Sequence, residues 1–542
     1  MAIDRLPSSV IAIMIVLLMF GAVWFSVSFL LDQSLRLDEA QSLWQTSHSP
    51  QRILQIIGED VHVPLYHMTL HGWLRLFGDG VAAARMLSLL FFVLTLPLLY
   101  LLGREVGGRR GGLFVAVLGA VSPFLHWYGS EIRMYSMLGF LAAANQLFFL
   151  KLWRSQVPAG TWRSQRLTLT GREARSRLPA GRQGSGALWA GYVLSAIAGM
   201  YTHYFFALVL IGQALFGLLH RAQLQRILRR RLMLTAAAVT VALLPWVIYI
   251  FRLGGIANTR PLLTPPSSIN LFNTYNNFLF GFHEPGVNTM LIAFWPLVLL
   301  FSLLVLSRHV RISPAVHYLF LAAAIPPIAA FVISLLIRPF YETRYLIIAV
   351  PALYAFLAWM FSAYSPKIGQ AVRILLPVLM LVFFLRQATN AATPVKEDFR
   401  DAVAHVEAFG TPRDALVVSP PFTVYPVEYY YRGSMRIHTL PEWDRLTEGP
   451  IPPFIEPQLP EEAEAIVGSH ERLWLVLSYD QGYEDAILGY FDSHYERIEE
   501  QQFSEGITLY AYQLRPAPSG AGLRPDENGD RLSQRQSVET QP

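Results

Sequence analysis

Cysteine is absent from the 542-residue chain, and charged residues are scarce. The lack of cysteine excludes structural disulfides, thiolate metal sites, iron–sulfur clusters and cysteine nucleophiles. Charged residues make up only 15% of the chain, whereas soluble domains carry about a quarter. Apolar residues reach 53%, and a single buried core stops growing at about 250–300 residues. A lipid bilayer must therefore be the solvent for most of the chain.

About eleven apolar runs approach the roughly 20 residues that a helix needs to cross a bilayer. They cover residues 10–31, 80–102, 111–126, 134–153, 187–201, 204–219, 232–252, 287–306, 315–337, 346–363 and 371–389. No small-residue cleavage pattern follows the first run, so we expect an uncleaved anchor.

Basic residues are unevenly distributed among the loops between these runs. If the N-terminus is cytoplasmic, the inner loops hold most of the arginines, and the outer loops hold few. This asymmetry predicts a cytoplasmic N-terminus. It also explains the net charge of +5 without a nucleic-acid partner. The Arg-, Gly- and Ser-rich stretch 161–185 predicts a flexible cytoplasmic linker, with binding to anionic lipid as the alternative.

The composition becomes that of a soluble domain near residue 390. Apolar spacing predicts a helix at 398–409 and a strand at 415–419, then a strand at 472–478, a helix at 483–491 and a strand at 507–514. We therefore expect three parts. They are a transmembrane domain at 1–389, a small extracytoplasmic α/β domain at 390–515 and a disordered tail at 516–542.

Carboxylates, histidines and tyrosines gather in the short loops predicted on the outer side, where ionisable groups mark functional sites. These loops supply Asp38 and Glu39, then Asp60, His62 and Tyr66, then Glu131, Arg133 and Tyr135, then His203, and finally Arg344 and Tyr345.

The order of these residues resembles the polyprenyl-phosphate-sugar-dependent membrane glycosyltransferases of the GT-C fold, close to the dolichyl-phosphate-mannose-protein mannosyltransferase-like group (glycosyltransferase family 39). The matching landmarks, over roughly residues 10–435, are Asp38-Glu39, the run His62-Val63-Pro64-Leu65-Tyr66, the run Glu131-Ile132-Arg133-Met134-Tyr135, and Arg344-Tyr345. The resemblance implies a polytopic α-helical GT-C protein in a bacterial inner membrane. It also implies a lipid-linked sugar donor, an acceptor protein, lipid or glycan, and Asp38 as the catalytic base.

The residue types support this chemistry independently of the resemblance. Sugar transfer from a lipid phosphate needs a base for the acceptor proton and hydrogen-bonding or cationic groups for the departing phosphate. A strong general acid is dispensable, because phosphate leaves without protonation, unlike the alkoxide of glycoside hydrolysis. We group Glu39 with Asp38 as the catalytic pair. Adjacent residues point in different directions, however, so we expect Glu39 to orient its neighbours.

Arginine suits the donor phosphate because a guanidinium grips two phosphate oxygens at once. We assign Arg133, Arg344 and His203 to the donor phosphate, and Asp60, His62, Tyr66, Glu131, Tyr135 and Tyr345 to substrate binding.

Structural alternatives exist for the charged residues. Asp38 with Gln41 can cap an interfacial helix without any catalytic part. Arg133 and Arg344 can form ion pairs with neighbouring glutamates that tie loops together. In an extended loop, Glu131 and Arg133 share one face, whereas in a helix they do not.

Metal binding also stays open at this stage. His67 and His71 have the i,i+4 spacing that lets two imidazoles share a metal, and a divalent cation would help to neutralise a leaving phosphate. No compact metal-binding motif is present, so we assign no metal ligands and no firm cofactor.

A transporter or flippase of a lipid-linked sugar is the alternative function. Transporters place ionisable residues near the bilayer midplane. This chain keeps nearly all of the ionisable residues near its spans at their ends, and the carboxylates and histidines gather at the outer ends, with Arg85 and Asn145 as the polar exceptions. The pattern therefore favours a transferase.

Overall fold

The computed structural model describes residues 6–29, 33–60, 62–156, 185–253, 264–293, 295–296, 300, 312–363, 366–389, 397–445, 451–468 and 470–515. The chain divides into two compact units. The first comprises Met1–Gln33 and Asp38–Lys396, and the second comprises Ser34–Leu37 and Glu397–Pro542.

All regular elements among the described residues of the first unit are helices. Its helices are α1 (Ser8–Phe29), α2 (Leu37–Thr46), α3 (Pro50–Glu59), α4 (Pro64–Phe77), α5 (Val81–Ala120), α6 (Pro123–Gly129), α7 (Tyr135–Gln156), α8 (Ser185–Thr202), α9 (Phe206–Leu219), α10 (Arg226–Leu253), α11 (Ser268–Phe280), α12 (Pro285–Ala293), α13 (Pro314–Leu336), α14 (Val350–Ala363) and α15 (Pro366–Thr389). A 3-10 helix at Thr343–Ala349 leads into α14.

Seven helices among the described residues are long and apolar enough to cross a membrane. They are Ser8–Phe29, Val81–Ala120, Tyr135–Ser155, Arg226–Leu253, Pro314–Leu336, Thr343–Ala363 and Gly369–Thr389. The chain is therefore the polytopic α-helical membrane protein that its composition predicts.

Helix α5 is a hairpin of two helical arms. Gly108 interrupts it with a φ of 64° and a ψ of −158°, a region that glycine adopts without strain. A Cβ on Gly103 would lie 2.7 Å from the carbonyl oxygen of Gly111. The two arms can pack closely because glycines, which have no Cβ, lie where the arms contact each other.

The predicted third span, 111–126, is wrong at its end. The second arm of α5 stops at Ala120, and Pro123 begins the separate helix α6, whose first turn is capped by the Ser122 hydroxyl. Proline favours the first turn of a new helix, since it has no backbone N–H to donate. A continuous apolar run concealed this break.

Some predicted segments fall outside the described residues. They are most of the span 287–306, residues 161–184 of the linker, and the tail 516–542. Helix α12 is the described part of the predicted span 287–306.

The second unit contains a five-stranded sheet. Its strands are β1 (Ala415–Ser419), β2 (Ile437–Thr439), β3 (Arg472–Ser478), β4 (Glu496–Ser504) and β5 (Ile507–Gln513), in the order β2-β1-β3-β5-β4. Strand β1 pairs in parallel with β2 and β3, whereas β5 pairs antiparallel with β3 and β4. The unit's helices are α16 (Phe399–Phe409), α17 (Val424–Tyr430), α18 (Leu459–Val467) and α19 (Glu484–His494). This is the small C-terminal α/β domain that was predicted.

Candidate active site

Asp38 lies in the first turn of α2 and forms an ion pair with an arginine from a distant part of the chain. Its Oδ2 accepts a hydrogen bond from Nη1 of Arg344 at 2.8 Å. Both side chains remain about a quarter exposed, at 26% for Asp38 and 28% for Arg344. Because α2 begins at Leu37, Asp38 is not its N-cap. The pair therefore presents one carboxylate and one cation to the surroundings.

Glu39 points the opposite way, into the protein. Its carboxylate accepts two hydrogen bonds from Arg85, at 3.0 Å from Nε and 2.8 Å from Nη2, and one from the backbone N–H of Ile132 at 3.0 Å. Both side chains of the ion pair are fully buried. Glu39 thus has the geometry of an orienting residue, joining α2 to the loop at 130–134, while Asp38 remains accessible.

Arg85 is a residue whose role the sequence analysis did not identify. It lies in the second turn of α5 and also donates from Nη1 to the carbonyl of Gln33 at 2.7 Å. A signal for it existed, because a charged residue inside an apolar run needs a buried partner. The sequence did not say which carboxylate that partner is.

Arg133 is 4% exposed and is held by α2 and by His62. Its Nη1 donates to the carbonyl of Asp38 at 3.3 Å and to Oγ of Ser42 at 3.1 Å. Its Nη2 donates to Nε2 of His62 at 3.1 Å. Residues 130–134 form turns and not a helix. Both terminal nitrogens of Arg133 are thus already bonded within the protein, unlike the more exposed guanidinium of Arg344.

The bond from Arg133 requires a neutral imidazole on His62. Burial and, after it, the positive charge of Arg133 lower the pKa of His62 to about 3. Asp60 lies 3.7 Å away, measured from its Oδ2 to Nε2 of His62, and Gln45 donates to the same oxygen at 3.4 Å. His62 therefore supports Arg133, and Asp60 lies between His62 and Gln45 of α2.

Aromatic rings surround Arg344. The guanidinium carbon lies 5.6 Å from the ring centre of Tyr345. The ring of Tyr345 lies 4.7 Å from that of His203 and 6.2 Å from that of Tyr135. Burial, together with the positive charge of Arg133, lowers the pKa of His203 to about 3. His203 is thus a neutral part of an aromatic wall beside Arg344 and not a second cation.

Two predicted substrate-binding residues are buried away from the surface. Tyr66 is 1% exposed, with its ring 5.6 Å from that of His67. Glu131 is also 1% exposed, and its backbone carbonyl accepts a hydrogen bond from Ser88 at 2.6 Å. Their side chains are therefore not part of the exposed surface of the site.

Metal-ligand candidates do not gather in one place within the described ranges. No group of three or more His, Asp or Glu side chains there has an arrangement that would hold a metal ion. Nδ1 of His71 donates to the carbonyl of Thr46 at 2.8 Å, whereas His67 packs beside His62 with ring centres 5.6 Å apart. The i,i+4 pair predicted from sequence is therefore divided between two environments.

The site thus joins a carboxylate, an accessible guanidinium and an aromatic wall at the ends of several helices. No protein-family model and no curated protein sequence matches the chain. Among solved structures, it resembles ArnT from Cupriavidus metallidurans in the apo state, with a TM-score of 0.57 and 14% identity over 92% of this chain and 97% of that chain. The same protein bound to undecaprenyl phosphate gives a TM-score of 0.58 and 15% identity, with the same coverage.

The chain has the GT-C fold. The likeness extends over nearly the whole length of both chains. A structure of the Archaeoglobus fulgidus oligosaccharyltransferase in complex with Zn and sulfate gives a TM-score of 0.47 and 12% identity, over 92% of this chain and 72% of that chain. The likeness to the two ArnT structures confirms the fold class expected from the order of the loop residues.

Proposed function

We propose that this GT-C protein is a membrane glycosyltransferase. It moves a sugar from a polyprenyl-phosphate-linked donor to an acceptor hydroxyl on the extracytoplasmic face. The observation that carries the proposal is the accessible Asp38–Arg344 pair. It brings together the two groups that this reaction needs, a base for the acceptor proton and a cation for the departing phosphate.

The reaction follows from these two groups. The acceptor oxygen attacks the anomeric carbon of the donor sugar, and its proton passes to the carboxylate of Asp38. The bond between the anomeric carbon and the phosphate oxygen breaks, and polyprenyl phosphate leaves with the electron pair of that bond. Arg344 stabilises the negative charge that develops on the phosphate. No group on the protein is oxidised or reduced.

Arg344 serves two anions in this scheme. Its Nη1 donates to Oδ2 of Asp38 at 2.8 Å. A donor phosphate carries negative charge on several oxygens and competes with the carboxylate for the guanidinium. Donor binding therefore loosens Asp38 from Arg344 and makes the carboxylate available as a base when the acceptor arrives.

A polyprenyl phosphate is the lipid that the comparison favours. The ArnT structure with undecaprenyl phosphate has the same fold as this chain. The ring of Tyr345 lies beside Arg344 and is backed by the buried rings of His203 and Tyr135. This aromatic surface suits the sugar ring or the first isoprene unit next to a phosphate.

A donor panel tests the proposal. Purified protein in detergent is incubated with polyprenyl-phosphate-linked hexoses and pentoses, with and without a chelator and with and without membrane extract as acceptor. Released polyprenyl phosphate is measured. We expect release with one class of donor, and the chelator arm decides the divalent-cation requirement.

The alternative function gives a different result in the same panel. A transporter or flippase of a lipid-linked sugar would release no polyprenyl phosphate from any donor, even with membrane extract present. That outcome, on protein shown to be folded, would contradict the proposed transfer.

A further inference from the structure

Thr274 is a fully buried threonine in α11, a helix to which the sequence analysis gave no role. Its hydroxyl makes three hydrogen bonds. The partners of Oγ1 are the carbonyl of Asn270 at 3.0 Å, the hydroxyl of Tyr341 at 2.8 Å and the hydroxyl of Thr343 at 3.0 Å. Thr274 thus joins α11 to the segment that immediately precedes Arg344.

The directions of these bonds follow from the chemistry of a hydroxyl. A threonine hydroxyl has one hydrogen to donate and two lone pairs to accept. The carbonyl of Asn270 can only accept, so Thr274 donates to it and accepts from both Tyr341 and Thr343. Burial raises the pKa of Tyr341 to about 12, so its phenol keeps the proton that it donates. All of the hydrogen-bonding capacity of Thr274 is therefore used.

Helix α11 is a firm support for this hydroxyl, because three neighbouring elements hold it. The Tyr275 hydroxyl donates to the carbonyl of Ala323 in α13 at 3.2 Å. The Tyr354 hydroxyl of α14 donates to the carbonyl of Phe278 at 2.5 Å. The ring of Phe278 also packs edge-to-face on Phe124 of α6, with centres 5.0 Å apart.

The segment held by Thr274 has little regular structure of its own. Residues 338–342 lie between the end of α13 and the 3-10 helix and are neither helix nor strand. Two other contacts also hold this segment. The Phe340 N–H donates to Oγ of Ser334 at 3.3 Å, and the ring centre of Phe331 lies 5.9 Å from that of Tyr341. The bonds to Thr274 fix this segment on both sides of Glu342.

We propose that Thr274 is a positioning residue for donor binding, acting through Arg344. By holding Tyr341 and Thr343, it sets where the guanidinium of Arg344 stands relative to Asp38. The inference rests on the proposed function for its kinetic consequence. Its structural part, the restraint of residues 338–345, is independent of any activity.

Thr274→Val tests the inference, because valine keeps the shape and removes the acceptor. With the donor identified by the panel, we expect about a tenfold rise in the donor KM and a smaller change in kcat, because valine cannot accept the hydrogen bonds from Tyr341 and Thr343. Thr274→Ser keeps the hydroxyl and restores the wild-type KM. Thr95→Val is the matched control, because Thr95 is 4% exposed and its hydroxyl donates within its own helix, to Phe91 at 2.7 Å.

A double-mutant cycle distinguishes positioning of Arg344 from a general loss of structure. Binding of undecaprenyl phosphate is measured for Thr274→Val, Arg344→Ala and the combination. If Thr274 acts through Arg344, the combination binds no more weakly than Arg344→Ala alone. Independent, additive losses would overturn the inference.

Hydrogen–deuterium exchange gives a readout without turnover. In Thr274→Val we expect faster amide exchange in peptides covering residues 338–345, with no change in Thr95→Val. Unchanged exchange there overturns the inference whatever the enzyme does. If exchange accelerates but no variant, including wild type, releases polyprenyl phosphate, then the proposed function fails while the structural restraint stands.

Discussion

Arg133 and His62 show how a single protonation state supports the site. Arg133 is almost fully buried and uses Nη2 to donate to Nε2 of His62 at 3.1 Å. A protonated imidazole would have no lone pair to accept this bond and would repel the guanidinium. The site is therefore assembled with His62 neutral, which its lowered pKa ensures at ordinary pH.

Protonation of His62 should make the free energy of unfolding depend on pH at acidic pH. Its pKa is about 3 in the folded protein and 6.5 as the reference value, so the unfolded chain takes up the proton first as the pH falls. The contribution of His62 to the free energy of unfolding is constant above about pH 6.5. Below it, the free energy of unfolding decreases by up to about 1.4 kcal/mol per pH unit until the folded pKa is reached.

Thermal unfolding in detergent at pH 7.5 and pH 5.5 checks this expectation. Wild type should lose more stability between the two pH values than His62→Gln, which has no imidazole to protonate at this position. His203 is present in both proteins, so the difference isolates His62. Equal losses would show that His62 is not the group responsible.

At the scale of elements, the buried Glu39–Arg85 pair fixes α2 against α5 and the loop at 130–134. Removal of one charged partner leaves the other charge buried and unpaired, which typically lowers the free energy of unfolding by about 3–5 kcal/mol. We therefore expect Glu39→Gln to lower the unfolding temperature strongly. The matched control is Glu105→Gln, because Glu105 pairs with the 45% exposed Arg154 at 2.7 Å, and exposed pairs contribute about 1 kcal/mol or less.

Thermal unfolding of the two glutamine variants in the same detergent measures this difference. A Glu39→Gln protein as stable as Glu105→Gln would contradict the role of the buried pair. If Glu39 orients α2 as described, adding Arg85→Met to Glu39→Gln should recover part of the lost stability, since no unpaired charge is then left in the interior.

Sequence patterns located the elements that have strong periodicity or bury both faces. The predicted strand at 415–419 agrees with β1, and the strand at 472–478 agrees with β3, because both are buried apolar runs. Strand β4 was missed, since it is largely exposed and rich in charged and polar residues. Helix ends were displaced where an apolar run continued through a break, as at Pro123.

The site could be predicted only in part, for a physical reason. Charged residues in an apolar chain stand out, so Asp38, Arg133 and Arg344 were found from sequence, and the structure brings them together. Pairing between residues far apart in the sequence leaves no local signal. The bond between Asp38 and Arg344, the Arg85 partner of Glu39 and the hydroxyl of Thr274 therefore became visible only in the folded chain.

At the scale of the whole molecule, the orientation in the membrane is the main prediction that follows from charge. The absence of cysteine gives a background without reactive thiols. Ser47, Ser493 and Gln223 are exposed and suit single substitution by cysteine. We expect an impermeant maleimide to label Ser47→Cys and Ser493→Cys in intact cells, and Gln223→Cys only after permeabilisation, since the arginine-rich loops face the cytoplasm.

Labelling of Gln223→Cys in intact cells, with Ser47→Cys protected, would reverse the orientation and place the site on the cytoplasmic side. Labelling of Ser47→Cys but not Ser493→Cys would instead put the second unit on the side opposite the site. Either result would contradict the proposed topology.

The most direct test of the central claim is sugar transfer by Asp38→Asn beside Asp79→Asn, an exposed aspartate in the turn before α5. Loss of a general base typically slows a reaction by about 10²–10⁴-fold. We predict such a loss for Asp38→Asn and wild-type transfer for Asp79→Asn. Undecaprenyl phosphate should bind Asp38→Asn at least as tightly as wild type, because the carboxylate no longer competes for Arg344. Transfer by Asp38→Asn at the wild-type rate would contradict the account.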